Sequence, residues 1–498
     1  MNSNSNFSFK QYWVTLFSIA LFGMVLLFQG CKAVGPDYTT PIDPVPNAWD
    51  LKIQSKLVKE PKSDLENWWT LFNDPILNAL IEKAKSQNRN LKIAYSRVIE
   101  ARTEMSGVSG AKLPSLETSA SVGVEKQSDL GSLKPLAPAN GFKPQGIFQQ
   151  GFSSSWEIDV FGRVRRSMEA ANYAYETSIQ DYYDVMTVLL ADVAINYLDL
   201  RSKQQQRVNT EKNVIAQEES LTLTEVMFNS GISSYLDVVQ AKSNLLETKS
   251  QIPDYKLGEY KAINKLSQLL GTTYDSLGID LYEIGKIPMG NTNFNVGLPT
   301  DLLRQRPDIR AAELNIAMNN AKIGVSTADL YPTFSLGGFF GFDSQDAGNL
   351  FSVPGMNWGL SLPISWQIFN RKQIKANIAI NEQQTQQALL NYENTVLKAY
   401  IEVEDLLVSL HMNQEKYKFI SEAVGQTEEA VGLVKIQYDT QITDFQNVLD
   451  TQRSLFRQQN QKVTSETDIV INLIKLYKAL GGGWTIQEEV ITINTNKE

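Results

Sequence analysis

The chain of 498 residues exceeds the roughly 100–200 residues that one ordinary domain encloses, and 42% hydrophobic residues with a mean hydropathy of -0.24 exclude a polytopic bundle of membrane-spanning helices. Its 46 Lys+Arg stand against 55 Asp+Glu for a net charge of -9, which offers no footing for a nucleic acid partner. One cysteine, Cys31, and one histidine, His411, exclude zinc cages, cysteine–histidine nucleophiles and any Ser-His-Asp triad that does not use His411.

The first element is the uncharged apolar run Tyr12 to Phe28, with Lys10 before it and Gln29-Gly30-Cys31 after it. It predicts an export signal over 1–30; an uncleaved anchor is the alternative, since 17 residues lie at the lower limit for a spanning helix. A small residue directly before a lone cysteine resembles a bacterial lipoprotein signal, which implies acylation of Cys31, palmitate included, although Phe28 and Gln29 depart from the usual pattern. Several acyl chains at ~0.8 kcal/mol per buried CH₂ would anchor the chain firmly. Pro36, Pro41, Pro44 and Pro46 then predict an extended tether over 31–70.

From there the chain reads as two copies of one unit, 71–271 and 302–481, with a linker at 272–301 and a tail at 482–498. The apolar series Met186, Leu190, Val193, Tyr197, Leu200 recurs 210 residues later as Val396, Tyr400, Val403, Leu407, Leu410. Upstream, Val160-Phe161-Gly162-Arg163 pairs with Ile368-Phe369-Asn370-Arg371 at a shift of 208, so the copies differ by two residues in between. Each copy opens on a helix with proline at its first position: Asp74-Pro75, then Arg306-Pro307-Asp308.

Two stretches of period-two alternation follow in each copy: Leu116 to Val124 and Phe152 to Ile158, then Phe334 to Phe342 and Met356 to Ile368. In the last, Trp358, Leu360, Leu362, Ile364 and Trp366 make one apolar, lipid-facing side. Such strands suit a bilayer crossing at ~9–11 tilted residues, and equally a soluble sandwich with one buried face. Trp156, Trp358 and Trp366 near strand ends lean toward a membrane girdle.

Long helical tracts come next: Arg163 to Ser230 holds no Gly or Pro, and Ile364 to Val424 is a second such tract. At 1.5 Å per residue the first would extend ~100 Å, too long and too polar for a membrane, and its apolar spacing predicts coiled-coil seams in water. Four strands cannot close a barrel alone, because an open edge in hydrocarbon leaves backbone groups unpaired. Two chains would give eight strands, packed shut by side chains; three give twelve, and a conducting lumen favours three.

Leu298-Pro299-Thr300-Asp301-Leu302-Leu303 followed by Arg306-Pro307-Asp308-Ile309-Arg310 closely resembles the signature of outer membrane efflux lipoproteins of the TolC/OprM type. Tyr331-Pro332, Trp156 to Arg163, Leu449 to Arg453 and Ala479 to Trp484 look like further motifs of that family, in its order. The resemblance implies a mainly α fold with a small β part: a homotrimer whose helices form an α-barrel in the periplasm and whose four strands per chain form a 12-stranded transmembrane β-barrel. It also implies no enzymatic activity and no cofactor. The expected partners are outer-membrane lipid, a periplasmic adaptor (membrane fusion) protein and an inner-membrane resistance-nodulation-division transporter. By resemblance the periplasmic gate falls on Asp450 and Arg453, an i, i+3 pair, with Gln446 where relatives often carry an apolar constriction. Gln441 stands where copy one keeps the turn glycine Gly231.

His411 reads as an ordinary helix residue, Glu157 and Asp159 near Arg163 as a polar cluster at the strand-to-helix junction, and Gly481-Gly482-Gly483 as a helix stop. Three functions compete: an efflux duct, a duct for type I protein secretion, and a non-conducting exported coiled-coil lipoprotein. The lipidated start and the Arg-Pro-Asp signature favour the first.

Overall fold

The computed structural model describes residues 32–42, 45–46, 65–128, 130, 141–290 and 304–484. The signal, Cys31, Leu298 to Leu303 and the tail beyond Trp484 lie outside the described residues. Of the described residues helix takes 68% and strand 11%, the mainly α balance expected. Contacts divide the chain into two units: one of Ile99–Glu176 and Glu313–Leu390 with the segment up to Pro41, the other of Ile42–Val98, Thr177–Ala312 and Asn391 onward.

In chain order the elements are α1 (Pro75–Gln87), α2 (Arg89–Ser109), β1 (Ser115–Glu125), β2 (Gln145–Ile158), α3 (Arg163–Asn229), α4 (Tyr235–Leu269), α5 (Pro307–Ala328), β3 (Thr333–Ser344), β4 (Met356–Ser361), β5 (Ile364–Ser365), α6 (Arg371–Asp439) and α7 (Phe445–Ala479). α3 begins at 163 and α6 at 371, a shift of 208, while α4 and α7 begin at 235 and 445, a shift of 210. The two extra residues therefore lie within α6, which has 69 residues against 67 in α3.

Three expected boundaries move. Asp74-Pro75 does open a helix, with the Asp74 carboxylate accepting from Ile76 N at 2.8 Å and Leu77 N at 3.0 Å. That helix stops at Asn88, whose side chain accepts from Leu91 N at 2.8 Å and donates to Leu269 O at 2.6 Å, so α2, not α1, leads into the strands as α5 does in copy two. The fourth strand does not run through to Ile368: Pro363 has no N–H for the ladder, and β4 breaks there. β5 resumes on β3 in the same register, so no slip accompanies the break. The second long helix starts at Arg371, seven residues later than expected, and continues through Gly425 and Gly432 to Asp439. A glycine costs a helix only ~1 kcal/mol, which tertiary packing overrides.

The proline-rich start also differs from a free spacer over its described part. Val34 N donates to Phe161 O at 3.1 Å, and the buried Arg166 side chain reaches Val34 O at 3.2 Å and Asp37 at 2.6 Å. Asn320 donates to Pro36 O at 3.0 Å and the Tyr38 hydroxyl to Glu313 at 3.1 Å. Burial first, and then the adjacent Glu313 carboxylate, push the Tyr38 phenol well above its ordinary pKa.

Within the second unit, α7 is bonded to three other helices, α3, α4 and α6. It bonds to α3 through Gln206–Thr464 (3.3 Å), Asn213–Gln459 (2.9 Å) and Gln452–Ser220 (2.9 Å), and to α6 through Thr427–Gln458 (2.8 Å). Its buried stripe includes Val448, Leu449, Gln452, Val463, Val470, Leu473, Ile474 and Tyr477, with the three- and four-residue steps of a coiled-coil seam. Trp68 stacks on Tyr477 at 5.6 Å, and burial pushes that phenol up to about 12.

Candidate functional site

The strands form one antiparallel sheet in the order β1-β2-β3-β4, with β5 continuing on β3. Residues opposed across a ladder share a face. Phe152 pairs with Phe340 and Phe340 with Trp358; Trp156 pairs with Leu336, Phe342 with Met356, and Phe334 with Ile364. Leu116, Val122 and Val124 join the same side through Ser154, Phe148 and Gly146. The other face carries Glu117, Ser119, Ser121, Gln149, Ser153, Asp343, Asn357 and several glycines, with Ile147 and Phe339 as its apolar members. One side is thus mainly apolar, with Thr118, Gln150 and Ser154 among its polar members, and the other is polar or small, which is the division a wall between lipid and water requires. Trp358, Leu360, Leu362, Ile364 and Trp366 are all exposed in the single chain. Leu362 sits in the break before Pro363, and Trp366 follows β5.

Trp156 and Trp366, 210 residues apart, make the same bond: each indole N–H donates to the carbonyl of the loop before a strand, Lys112 at 2.9 Å and Leu330 at 3.1 Å. An indole with an apolar body and one tethered N–H suits a lipid–water boundary. Just below, Glu157 pairs with Arg163, while the Asp159 carboxylate caps α3 at Val164 N (3.0 Å) and Arg165 N (2.9 Å). That is the junction cluster expected, and it satisfies the first amide groups of a helix that begins without another cap.

The Arg306-Pro307-Asp308 signature is a helix start with a half-buried cation. Arg306 grips Asp308 with two bonds (3.0 and 2.8 Å), Glu402 at 2.9 Å and the last-turn carbonyl of α7, Ala479 O, at 2.7 Å. Burial opposes its charge, yet the bonds to Asp308 and the charge of Glu402 outweigh that and hold Arg306 above its ordinary pKa. Pro307 takes the first helical position, and Asp308 accepts from Ile309 N at 2.9 Å. Asp184 faces this cluster; burial, then the Asp308 charge, raise its carboxyl. The glycine run ends α7 as expected: Gly481 N and Gly482 N return to Lys478 O and Tyr477 O, both at 2.9 Å.

At the far end of the long helices two turns share one design. Gly231 N and Ile232 N bond back to Phe228 O and Met227 O, both at 2.9 Å; Gln441 N and Ile442 N do the same to Tyr438 O (3.0 Å) and Gln437 O (2.8 Å). The residue at the corner is left-handed in both, Gly231 at φ 74° and Gln441 at φ 59°. Met227, Ala241, Tyr438, Phe445, Val448 and Leu449 pack into one cluster that binds the two turns together.

Gln446, Asp450 and Arg453 lie on the exposed side of α7 just beyond its turn, at i, i+4 and i+7. Gln446 donates to Asp450 at 3.1 Å. Arg453 makes no ion pair with Asp450; its guanidinium turns to Asn244 on α4 at 2.8 Å. The expected i, i+3 pair is therefore replaced by an interhelical bond, and among the described residues Asp450 makes no ion pair. Asn244 and the tip cluster were not legible as site residues, since their partners stand some 200 residues away in the chain.

Among the described residues no group of His, Cys, Asp and Glu is arranged to hold a metal ion. No described helix is long and apolar enough to cross a membrane.

The family described as outer membrane efflux protein matches residues 80–272 and 298–482. The solvent efflux pump outer membrane protein SrpC of Pseudomonas putida is 30% identical over 484 residues, 95% of this chain and 99% of its own. The cation efflux system protein CusC of Escherichia coli is 28% identical, covering 93% of this chain and 98% of its own. Among solved structures, the outer-membrane channel OprN superposes with a TM-score of 0.85 at 30% identity, over 91% of this chain and 99% of that one.

Proposed function

This chain belongs to the outer membrane efflux protein family, and from that premise we propose that it is the exit duct of a tripartite pump, a passive channel through which small molecules leave the cell. Its relatives act in the outer membrane as channels and not as enzymes, and it takes the same place. The observation that carries the reading is the four-strand sheet with one apolar and one polar face, in unbroken register, ending in two unpaired edges at β1 and β4. Unpaired edges cannot stay in hydrocarbon, and three copies joined edge to edge give a closed barrel of twelve strands. The apolar faces, Trp358, Leu360, Leu362, Ile364 and Trp366 among them, then meet lipid, and the polar faces line water.

The same reading divides the chain into a lipoprotein signal (1–30), an N-terminal segment acylated at Cys31 (31–70), two repeats (71–271 and 302–481), a linker (272–301) and a tail (482–498). Its further partners are a periplasmic adaptor and an inner-membrane transporter of the resistance-nodulation-division type. The gate is the ring that threefold symmetry makes of Asp450 with Gln446: three like charges at a narrow waist repel anions and favour cations. Arg453 holds that stretch of α7 to α4.

Two measurements test this. The mass of the assembly extracted from membranes should equal three mature chains plus their acyl groups; a monomer would remove the barrel. Purified protein in planar bilayers should conduct, with cation preference, and Asp450→Ala with Arg453→Ala should raise single-channel conductance and weaken that preference. Unchanged conductance and selectivity would place the gate elsewhere.

A further inference from the structure

We propose that the groove over α7 between α4 and α6 is a binding site for an amphipathic organic anion, a ligand with a flat apolar body and one carboxylate or sulfonate. The groove has a volume of 570 Å³, within the range of small-molecule sites. α7 supplies the floor with Phe456 and Asn460, α4 one wall with Gln251, and α6 the other with Lys416 and Ile420. Arg457 stands at the edge of the floor.

Two features fix the chemistry of the occupant. Two cations, Lys416 and Arg457, line the groove and no carboxylate does. Among the described residues Lys416 and Arg457 make no ion pair, and Glu415 beside Lys416 lies 3.9 Å from His411. Phe456 and Ile420 provide an apolar surface against which a flat body gains area without loss of hydrogen bonds. A cationic ligand is repelled, and a neutral one leaves both charges uncompensated.

The site lies on α7 beyond Arg453, apart from the gate, and does not depend on the chain conducting. The test uses the full-length protein in nanodiscs of phosphatidylcholine, titrated with naphthalene-1-sulfonate by isothermal calorimetry against empty nanodiscs. We expect saturable binding of one ligand per chain, weakened by added salt. Lys416→Gln with Arg457→Gln should weaken it by about tenfold or more, as loss of two charge-assisted bonds requires. Phe456→Ala should weaken it too, and neutral 1-naphthylmethanol should bind about tenfold more weakly than the sulfonate. Elution volume and helical circular dichroism show that each variant is folded; Arg457→Gln alone, on an exposed face, is the gentler check. Absence of saturable heat, as when a neighbouring copy covers the groove, would overturn the proposal, and so would equal affinity in the double variant or for the neutral analogue.

Discussion

Gln441 is strained in a way that Gly231 is not. A side chain with a Cβ in the left-handed region costs ~1–2 kcal/mol, and glycine gives back part of that through the freedom of its unfolded state. Gln441→Gly should therefore raise stability by about 0.5–1 kcal/mol, seen as a later midpoint in denaturant unfolding, while the two bonds that close the turn remain. Asp184 offers a pH signature. Its carboxyl is raised in the fold, so the fold disfavours its charged form. That cost is absent below the ordinary carboxylate range, grows as pH rises from there to the raised value and is complete above it. Asp184→Asn should accordingly stabilise the protein above the raised value, with the gain fading as pH falls through it and gone below the ordinary carboxylate range, as thermal unfolding across pH would show. The sequence displays the substitution at 441 as a departure between copies, yet the left-handed corner itself appears only in the backbone. Likewise Arg453 looks local to Asp450 by spacing, and its choice of Asn244 depends on a helix 209 residues away.

At the scale of elements, alternation in the strands was readable because period two survives regardless of what covers the sheet. The register was not, and it is what brings Phe152, Phe340 and Trp358 to one side. Trp358→Arg should cost about 2–4 kcal/mol of folding free energy in liposomes if placed near the bilayer middle, whereas Asn357→Arg, on the opposite face, should cost far less. Urea titration of the two refolded variants compares them directly. The long helices were legible from the absence of Gly and Pro; the first runs Arg163–Asn229, almost as expected, but the ends of the second were not legible. Gly425 and Gly432 are exposed and stay helical because residues around them in the same helix, Val424 and Tyr438 among them, are packed, and the break at Asn88 depends on a carbonyl at Leu269.

For the whole molecule, the duplication was the most informative pattern in the chain, since a repeat of 210 residues fixes which turns, caps and tryptophans correspond. The docking of the N-terminal segment had no such signal: prolines suit a spacer, and only Arg166, Asn320 and Glu313 reveal that residues 34–38 are held. Arg166→Ala should free that segment, read as faster protease cleavage between residues 32 and 42 with the helical content unchanged. The clamp bears on the lipid proposed at Cys31. Only Lys32 and Ala33 separate Cys31 from Val34, three Cα–Cα steps that span at most ~11 Å fully extended. Acyl chains there would act as a rivet at the corner where β2 meets α3, not as a leash, and the depth at which the barrel rides in its leaflet would be set by that short stub.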